Sequence, residues 1–391
     1  MTERRYLHAA ITRDLAAKMV FVGGPRQVGK TTLCRDLLTE QVQGIYLSWD
    51  RVADRRVIRN AEWPSGKAVV VLDEFHKQRG WKRWIKGEHD RFGDRIRFLV
   101  TGSARLDVFR RGGDSLQGRY HHYRLHPFSC AEIAGRDMAV LPSPGRPLDI
   151  PAANAHDTFE SLLRLGGFPE PFLAGSERVL RRWHKERLER FFREDVRDLE
   201  LLRDYGGIQT LADLLPERVG SPLSLNALRE DLEVSHRAVT HWVDVLDRLY
   251  FLFRVRPFAT RMAQSLRKMP KAFLWDWSVV TEPGPRFENL VASHLLKFCH
   301  GLEDVEGFRM ELCYLRDVTG REVDFLVTCN RKPWFAVECK LSDQSIDPSL
   351  TYYRDRLKIP WVYQVVCHGE RDFEVDGVRC LPAHRFLAAL A

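Results

Sequence analysis

Apolar positions in the first third of the chain come in short unbroken runs. Residues 18–22 break into Gly23-Gly24, residues 68–72 read AVVVL and end in two acids, and residues 96–100 end in Thr101-Gly102-Ser103. Uninterrupted runs of this length, separated by helical stretches, predict parallel strands buried on both faces of an α/β sheet. From residue 157 to about 270 the spacing becomes mostly helical. Two short amphipathic stretches, 224–232 and 236–249, are joined by a tight turn, with Ser235 placed to cap the second. A strand over 250–255 follows, and the set predicts a helix-turn-helix of winged type. Beyond Pro285 the pattern changes again to α-β-β-β-α-β: a helix at 287–298, strands at 311–315, 322–329 and 334–341, a helix at 350–357 and a strand at 361–367.

Punctuation divides these blocks. Residues 141–151 (LPSPGRPLDIP) carry four prolines, which resist both helix and sheet and predict a linker. The expected organisation is a first domain over 1–140, a linker over 141–156, a helical domain with a winged helix over 157–283, and a last α/β domain over 284–391.

Composition narrows the class. With 391 residues, 44% hydrophobic and 29% charged, the chain is long enough for two or three packed domains, and wholesale disorder is excluded. Its formal charge of +8 is compatible with a polyanionic partner. Eight cysteines without a CxxC pair speak against a zinc ribbon or a disulfide scaffold and for reduced thiols in the cytoplasm. The mixed-charge start, Met1-Thr2-Glu3-Arg4-Arg5, does not read as a signal peptide, and no apolar run is long enough to span a membrane. Residues 178–197 hold eight Lys/Arg and four acids around Trp183, Leu188, Phe191 and Phe192, a pattern that fits a solvated helix face better than a nucleic-acid contact. Arg229, His236, Arg237 and His241 keep a DNA-binding reading of the helix-turn-helix open.

Two constellations carry chemistry. Gly24-Pro25-Arg26-Gln27-Val28-Gly29-Lys30-Thr31 matches GxxxxGK[ST] between a strand and a helix that runs on through Thr32 to about Glu40. Its glycines let backbone N–H groups turn inward around phosphate oxygens, and the helix N-terminus adds positive potential. Lys30 is placed to bridge β- and γ-phosphates, and the Thr31 hydroxyl to ligate Mg²⁺. The second apolar strand delivers Asp73 to the Mg²⁺ shell and Glu74 to the attacking water, a pairing that points to hydrolysis of ATP. The third strand aims Thr101 or Ser103 at the γ-phosphate.

The order P-loop, strand-Asp73-Glu74, strand-Thr101-Gly102-Ser103, then Ser115-Leu116-Gln117-Gly118-Arg119, His126-Pro127-Phe128-Ser129 and Gly166-Gly167-Phe168-Pro169-Glu170 resembles a family of prokaryotic AAA-type ATPases. In that family an AAA domain precedes a helical domain, and many members end in a nuclease-like fold. The resemblance implies a homo-oligomer such as a hexameric ring, with an arginine finger supplied in trans by Arg119, or alternatively Arg105.

The second constellation lies near the other end. Asp324 sits on the 322–327 strand, and Glu338-Cys339-Lys340 ends the next; strand alternation puts Glu338 and Lys340 on one face. Two carboxylates with a backbone carbonyl make a hard oxygen site for Mg²⁺ or Mn²⁺, joined by Glu288 from the preceding helix, while Lys340 would stabilise a hydroxide or the phosphorane. This set resembles PD-(D/E)XK restriction-endonuclease-like enzymes, with Gln364 as an accessory polar position, although Val323 stands where the motif has proline. The expectation is an ATP-driven DNA translocase, helicase or branch-remodelling motor coupled to a metal-dependent nuclease, on duplex or branched DNA. The alternative is a nucleotide-gated DNA- or protein-binding regulator whose nuclease-like domain is inactive.

Overall fold

The computed structural model describes residues 4–41, 43–102, 116, 118–135, 142–152, 155–196, 205–259 and 269–390. These fall into two compact units, 1–126 and 127–391.

The first unit is a five-stranded parallel sheet. Its strands are β1 (Met19–Gly23), β2 (Gly44–Ser48), β3 (Ala68–Asp73), β4 (Ile96–Thr101) and β5 (Tyr120–Arg124), in the order β2-β3-β4-β1-β5. Helix α1 (His8–Leu15) precedes them, and α2 (Lys30–Thr39), α3 (Val52–Arg59) and α4 (Trp81–Phe92) lie between them along the chain. Every residue of β1 and β3 is buried, which is why both read as unbroken apolar runs. Phe21, Trp49, Phe75, Trp81 and Phe98 form the middle of one core, meeting largely edge to face. Because β4 lies between β1 and β3, the ends of all three strands open onto one edge of the sheet.

The second unit begins with helices α5 (Cys130–Ile133), α6 (His156–Leu165), α7 (Pro169–Ala174), α8 (Glu177–Arg190), α9 (Tyr205–Leu214), α10 (Leu225–Asp231) and α11 (His236–Arg248). Ser224 and Ser235 cap α10 and α11, each accepting from a backbone N–H three residues on. Strands β6 (Leu252–Pro257) and β7 (Lys271–Leu274) follow, then α12 (Pro283–Glu306), β8 (Met310–Arg316), β9 (Glu322–Cys329), β10 (Lys332–Ser342), α13 (Pro348–Leu357), β11 (Trp361–His368), β12 (Phe373–Val375), β13 (Val378–Pro382) and α14 (Ala383–Ala389).

One sheet runs through the boundary expected at 283/284. Its order is β12-β13-β11-β10-β9-β8-β6-β7, and the parallel pairing Arg256↔Cys313 and Pro257↔Tyr314 attaches β6 to β8. The described part of the proline-rich stretch packs on the second unit. Trp334 donates its indole N–H to Arg146 O (2.8 Å), the Tyr363 hydroxyl accepts from Leu148 N–H (3.4 Å), and Leu148 is buried. The basic helix α8 is only partly solvated: Leu180 and Trp183 are buried, and Arg187 stacks 4.1 Å above the Phe168 ring while donating to buried Asp276 (3.2 Å).

His294 on α12 supplies a pH test of this packing. Its Nδ1 lies 2.8 Å from Leu290 O and its Nε2 accepts from Cys130 N–H at 3.1 Å, so the neutral ring satisfies both contacts. Burial pushes its pKa down to about 3. The unfolded imidazole takes a proton below roughly pH 6.5, whereas the folded one stays neutral. Stability is therefore complete above that value and is lost as pH falls toward 3, by about 1.4 kcal/mol per pH unit. Denaturant unfolding at pH 7.5 and 5.0 should show a loss about 2 kcal/mol larger in the native chain than in His294→Gln. Equal losses in the two proteins would contradict the assignment.

Candidate functional site

The loop after β1 is shaped by backbone conformations that favour glycine. Gly24 (φ 144°) and Gly29 (φ 96°) flank Gln27 at φ 62°. A Cβ on Gly24 would stand 2.4 Å from Leu125 O, so the loop lies directly against the end of β5. Arg5 braces it from behind: its guanidinium donates to Val28 O (2.6 Å) and to His126 O. Lys30, the first residue of α2, is buried and donates to Gly24 O (3.0 Å) and Pro25 O (2.8 Å), within the ring that the loop makes. Arg26 is half-buried and Thr32 is exposed at the start of α2.

Asp73, at the end of β3, is the hub. Its Oδ2 accepts from the Thr31 hydroxyl (2.8 Å) and from Tyr46, and its Oδ1 accepts from Thr101. Three strands and α2 thus fix one buried carboxylate beside the loop. Burial, and then the hydrogen bond to Asp73, push the Tyr46 phenol above its ordinary value. Glu74 follows in a left-handed conformation (φ 56°, ψ 25°), a strained state for a glutamate and of the kind that collects at functional sites. Its Oε2 is buried without a hydrogen-bond partner, with Lys77 at 3.3 Å. The hard-oxygen pair Thr31/Asp73 and the glycine-shaped loop fit a triphosphate with its Mg²⁺.

Ser103 and Arg105 lie outside the described residues. Thr101, the other hydroxyl expected to face the γ-phosphate, is fully buried and holds Asp73. Arg119 precedes β5, whose Tyr120 pairs with Met19 at the start of β1. That places it at the sheet end opposite its own loop, about 13 Å along the strand, where its Nε donates to Asp90 Oδ1 (2.9 Å).

In the second unit, Glu288, Asp324, Glu338 and Lys340 converge as expected. Asp324 N–H donates to Glu338 Oε2 (3.2 Å), Cys339 N–H donates to Asp324 Oδ2 (2.9 Å), and Lys340 donates to Glu338 Oε1 (2.9 Å) and Asp347 Oδ2 (2.8 Å). Gln364 accepts from Asp347 N–H (2.9 Å) and donates to Ser345 O (3.2 Å), pinning the turn before α13. Missing from the sequence reading is Lys271, at the head of β7. Its buried ammonium lies 2.6 Å from Glu322 Oε1, 3.0 Å from Glu288 Oε1 and 3.4 Å from Asp324 Oδ1. Burial alone would depress this amine, but Glu288, Asp324 and Glu322 hold it far above the ordinary lysine value. Burial, reinforced by Asp324, pushes the carboxyls of Glu288 and Glu338 upward.

The divalent centre expected on Glu288, Asp324 and Glu338 finds no support in this arrangement. Among the described residues no group of three or more His, Cys, Asp or Glu is arranged to hold a metal ion, and these carboxylates gather around an ammonium. The only sequence signal was a lone lysine opening the apolar run Ala272-Phe273-Leu274-Trp275.

Three family models match the chain in succession. Residues 16–134 match the family model described as an AAA domain. Residues 156–282 and 283–386 match two domains of unknown function, DUF8612 and DUF4143. An uncharacterised protein of Mycobacterium tuberculosis, Rv2008c, is 23% identical over 99% of this chain and 85% of its own length. Another, MJ1544 of Methanocaldococcus jannaschii, is 21% identical over 89% of this chain and 82% of its own. Among solved structures, the Walker-type ATPase PABY2304 of Pyrococcus abyssi is similar over 75% of this chain and 95% of that one, at 14% identity and a TM-score of 0.42. The RuvB Holliday junction branch migration motor of Thermotoga maritima is similar over 64% and 87%, at 18% identity and a TM-score of 0.29. The AAA match lies over the loop, Thr31, Asp73 and Glu74, so residues 16–134 are similar to AAA-type P-loop ATPase domains, a family that implies ATP and Mg²⁺.

Proposed function

We propose that the chain hydrolyses ATP at Gly24–Thr31 with Asp73 and Glu74, and that this cycle acts on DNA held by the second unit. The observation that carries the reading is the single carboxylate of Asp73, shared by Thr31, Thr101 and Tyr46, with Glu74 strained beside it. Backbone amides of the loop and the start of α2 receive the phosphates, and Lys30 neutralises their oxygens. Asp73 and Thr31 would hold the metal's shell, and the metal would supply neutralisation of phosphate charge. Glu74 orients a water and takes its proton. Arg119, remote from its own loop, serves a neighbouring copy in a homo-oligomer.

The DNA part rests on charge. On α11, His236, Arg237, His241 and Arg248 are exposed while Val239, Trp242, Val243 and Leu246 are buried. A hollow of about 630 Å³ is lined by Arg254, Arg256, Arg309, Arg331 and Lys332 against one acid, Glu311. ATP turnover measured alone and with duplex, single-stranded and branched DNA tests the coupling. A several-fold stimulation is expected, and DNA affinity should fall steeply between 50 and 200 mM salt, roughly tenfold per decade of salt for each phosphate contacted. Turnover indifferent to every DNA, with no binding at low salt, would rule out this part.

A second reading is favoured by one observation, the ammonium of Lys271 among the carboxylates. In it the chain is a nucleotide-gated DNA- or protein-binding regulator whose second unit does not cleave. Incubation of labelled DNA with Mg²⁺ or Mn²⁺ separates it from a coupled nuclease, which would produce fragments in the native chain and none in Asp324→Ala.

A further inference from the structure

We infer that Lys271 is the resident cation of the carboxylate cluster, so that the cluster takes this tethered ammonium in place of a divalent ion. The argument is one of donors and acceptors. A lysine ammonium has three N–H donors and no acceptor. Three carboxylates each present one oxygen to it: Glu322 at 2.6 Å, Glu288 at 3.0 Å and Asp324 at 3.4 Å.

Four of the remaining oxygens of the set are also engaged. Asp324 Oδ2 accepts from Cys339 N–H, Glu338 Oε2 from Asp324 N–H, Glu338 Oε1 from Lys340, and Glu322 Oε2 lies 3.2 Å from Arg316. Glu288 Oε2 faces Gly220, where a Cβ would come within 2.6 Å; at φ 76° this glycine lets the chain close over the carboxylate. A Mg²⁺ or Mn²⁺ ion needs several oxygens converging at roughly 2.0–2.2 Å, and here they converge on a nitrogen instead.

The lysine is delivered by a fixed backbone. Lys271 pairs with Val255 on β6 and bridges to Pro222, and the neighbouring bonds Leu223 N–H to Pro270 O (2.8 Å) and Gly220 N–H to Ala272 O (3.3 Å) tie β7 to the segment before α10. The Tyr314 ring faces the ammonium from β8 with its centroid 5.6 Å away. The helical part of the unit thus closes a site made by α12 and β9. This inference does not depend on the ATP site.

The test is Mn²⁺ binding to the full chain without nucleotide, read by the loss of the free-ion EPR signal, together with the thermal midpoint. Native chain, Asp324→Asn, Lys271→Met and Lys271→Met/Asp324→Asn are compared. Lys271→Met is expected to bind one more Mn²⁺ per chain than the native protein, with its midpoint raised by the ion, and the added Asp324→Asn should remove both effects. If Lys271→Met is unfolded alone, folding on addition of Mn²⁺ supports the inference. The inference is overturned if native chain binds an Mn²⁺ that Asp324→Asn abolishes, if folded Lys271→Met binds no extra ion, or if the unfolded variant stays unfolded in millimolar Mn²⁺.

Discussion

Lys30→Ala should lower ATP turnover by at least about a hundredfold, the cost typical of removing one preorganised charge or donor from developing phosphoryl charge. The ammonium is already desolvated, held by Gly24 O and Pro25 O in a buried ring, so it reaches the phosphates without having to be stripped of water. Steady-state hydrolysis with saturating Mg²⁺ and ATP measures the effect. A thermal midpoint within a few degrees of native would place the loss in chemistry and binding, since Arg5 still ties Val28 and His126 behind the loop. Turnover within threefold of native would mean that hydrolysis takes place elsewhere.

The largest stability effect should come from the second unit. Lys297 Nζ lies 2.5 Å from Glu132 Oε2, with side-chain exposures of 2% and 1%, and also donates to Pro127 O at 3.1 Å. Truncating the acid takes the Glu132 counter-charge away from a desolvated ammonium. Removing one partner of such a pair costs about 3–5 kcal/mol. At about 2–4 °C per kcal/mol for a unit of this size, Glu132→Ala should lower the calorimetric midpoint by about 6–20 °C. Replacing both ends by apolar residues, Glu132→Leu with Lys297→Met, should recover most of the loss, because the penalty belongs to the unpaired charge. A fall below about 1 kcal/mol in the single variant is what a solvated surface pair would give.

What the sequence disclosed follows physical lines. Strands β1, β3 and β4 were legible because they are buried on both faces and so read as apolar runs. β2 (GIYLS) and β5 (YHHYR) were not, since their faces are partly exposed and their composition is mixed. β9 was found to its ends, 322–329, because apolar residues alternate there. Thr31 and Asp73 could be named from their motifs, but Tyr46 and Thr101 reach the same carboxylate from separate strands, a meeting that no spacing encodes. The pairing of β6 with β8 across the expected boundary at 283/284 was not legible either, because it depends on tertiary packing.

The carboxylate cluster marks the same limit more sharply. Asp324, Glu338 and Lys340 lie within one hairpin, so strand period alone brings them together. Lys271 comes from β7, three places from β9 in the sheet, and arrives only because β7, β6 and β8 close against α12. Charge counting along the chain could not tell that lysine from the others.

The account turns on Glu74 acting on water beside a phosphate that Lys30 and the loop hold. The most direct test is Glu74→Gln, with ATP affinity and single-turnover hydrolysis measured on the same sample. The account predicts affinity within about threefold of native and hydrolysis slowed by about 10²–10⁴, the usual contribution of a positioned base. Hydrolysis at the native rate, or a native chain that binds no ATP, would contradict it.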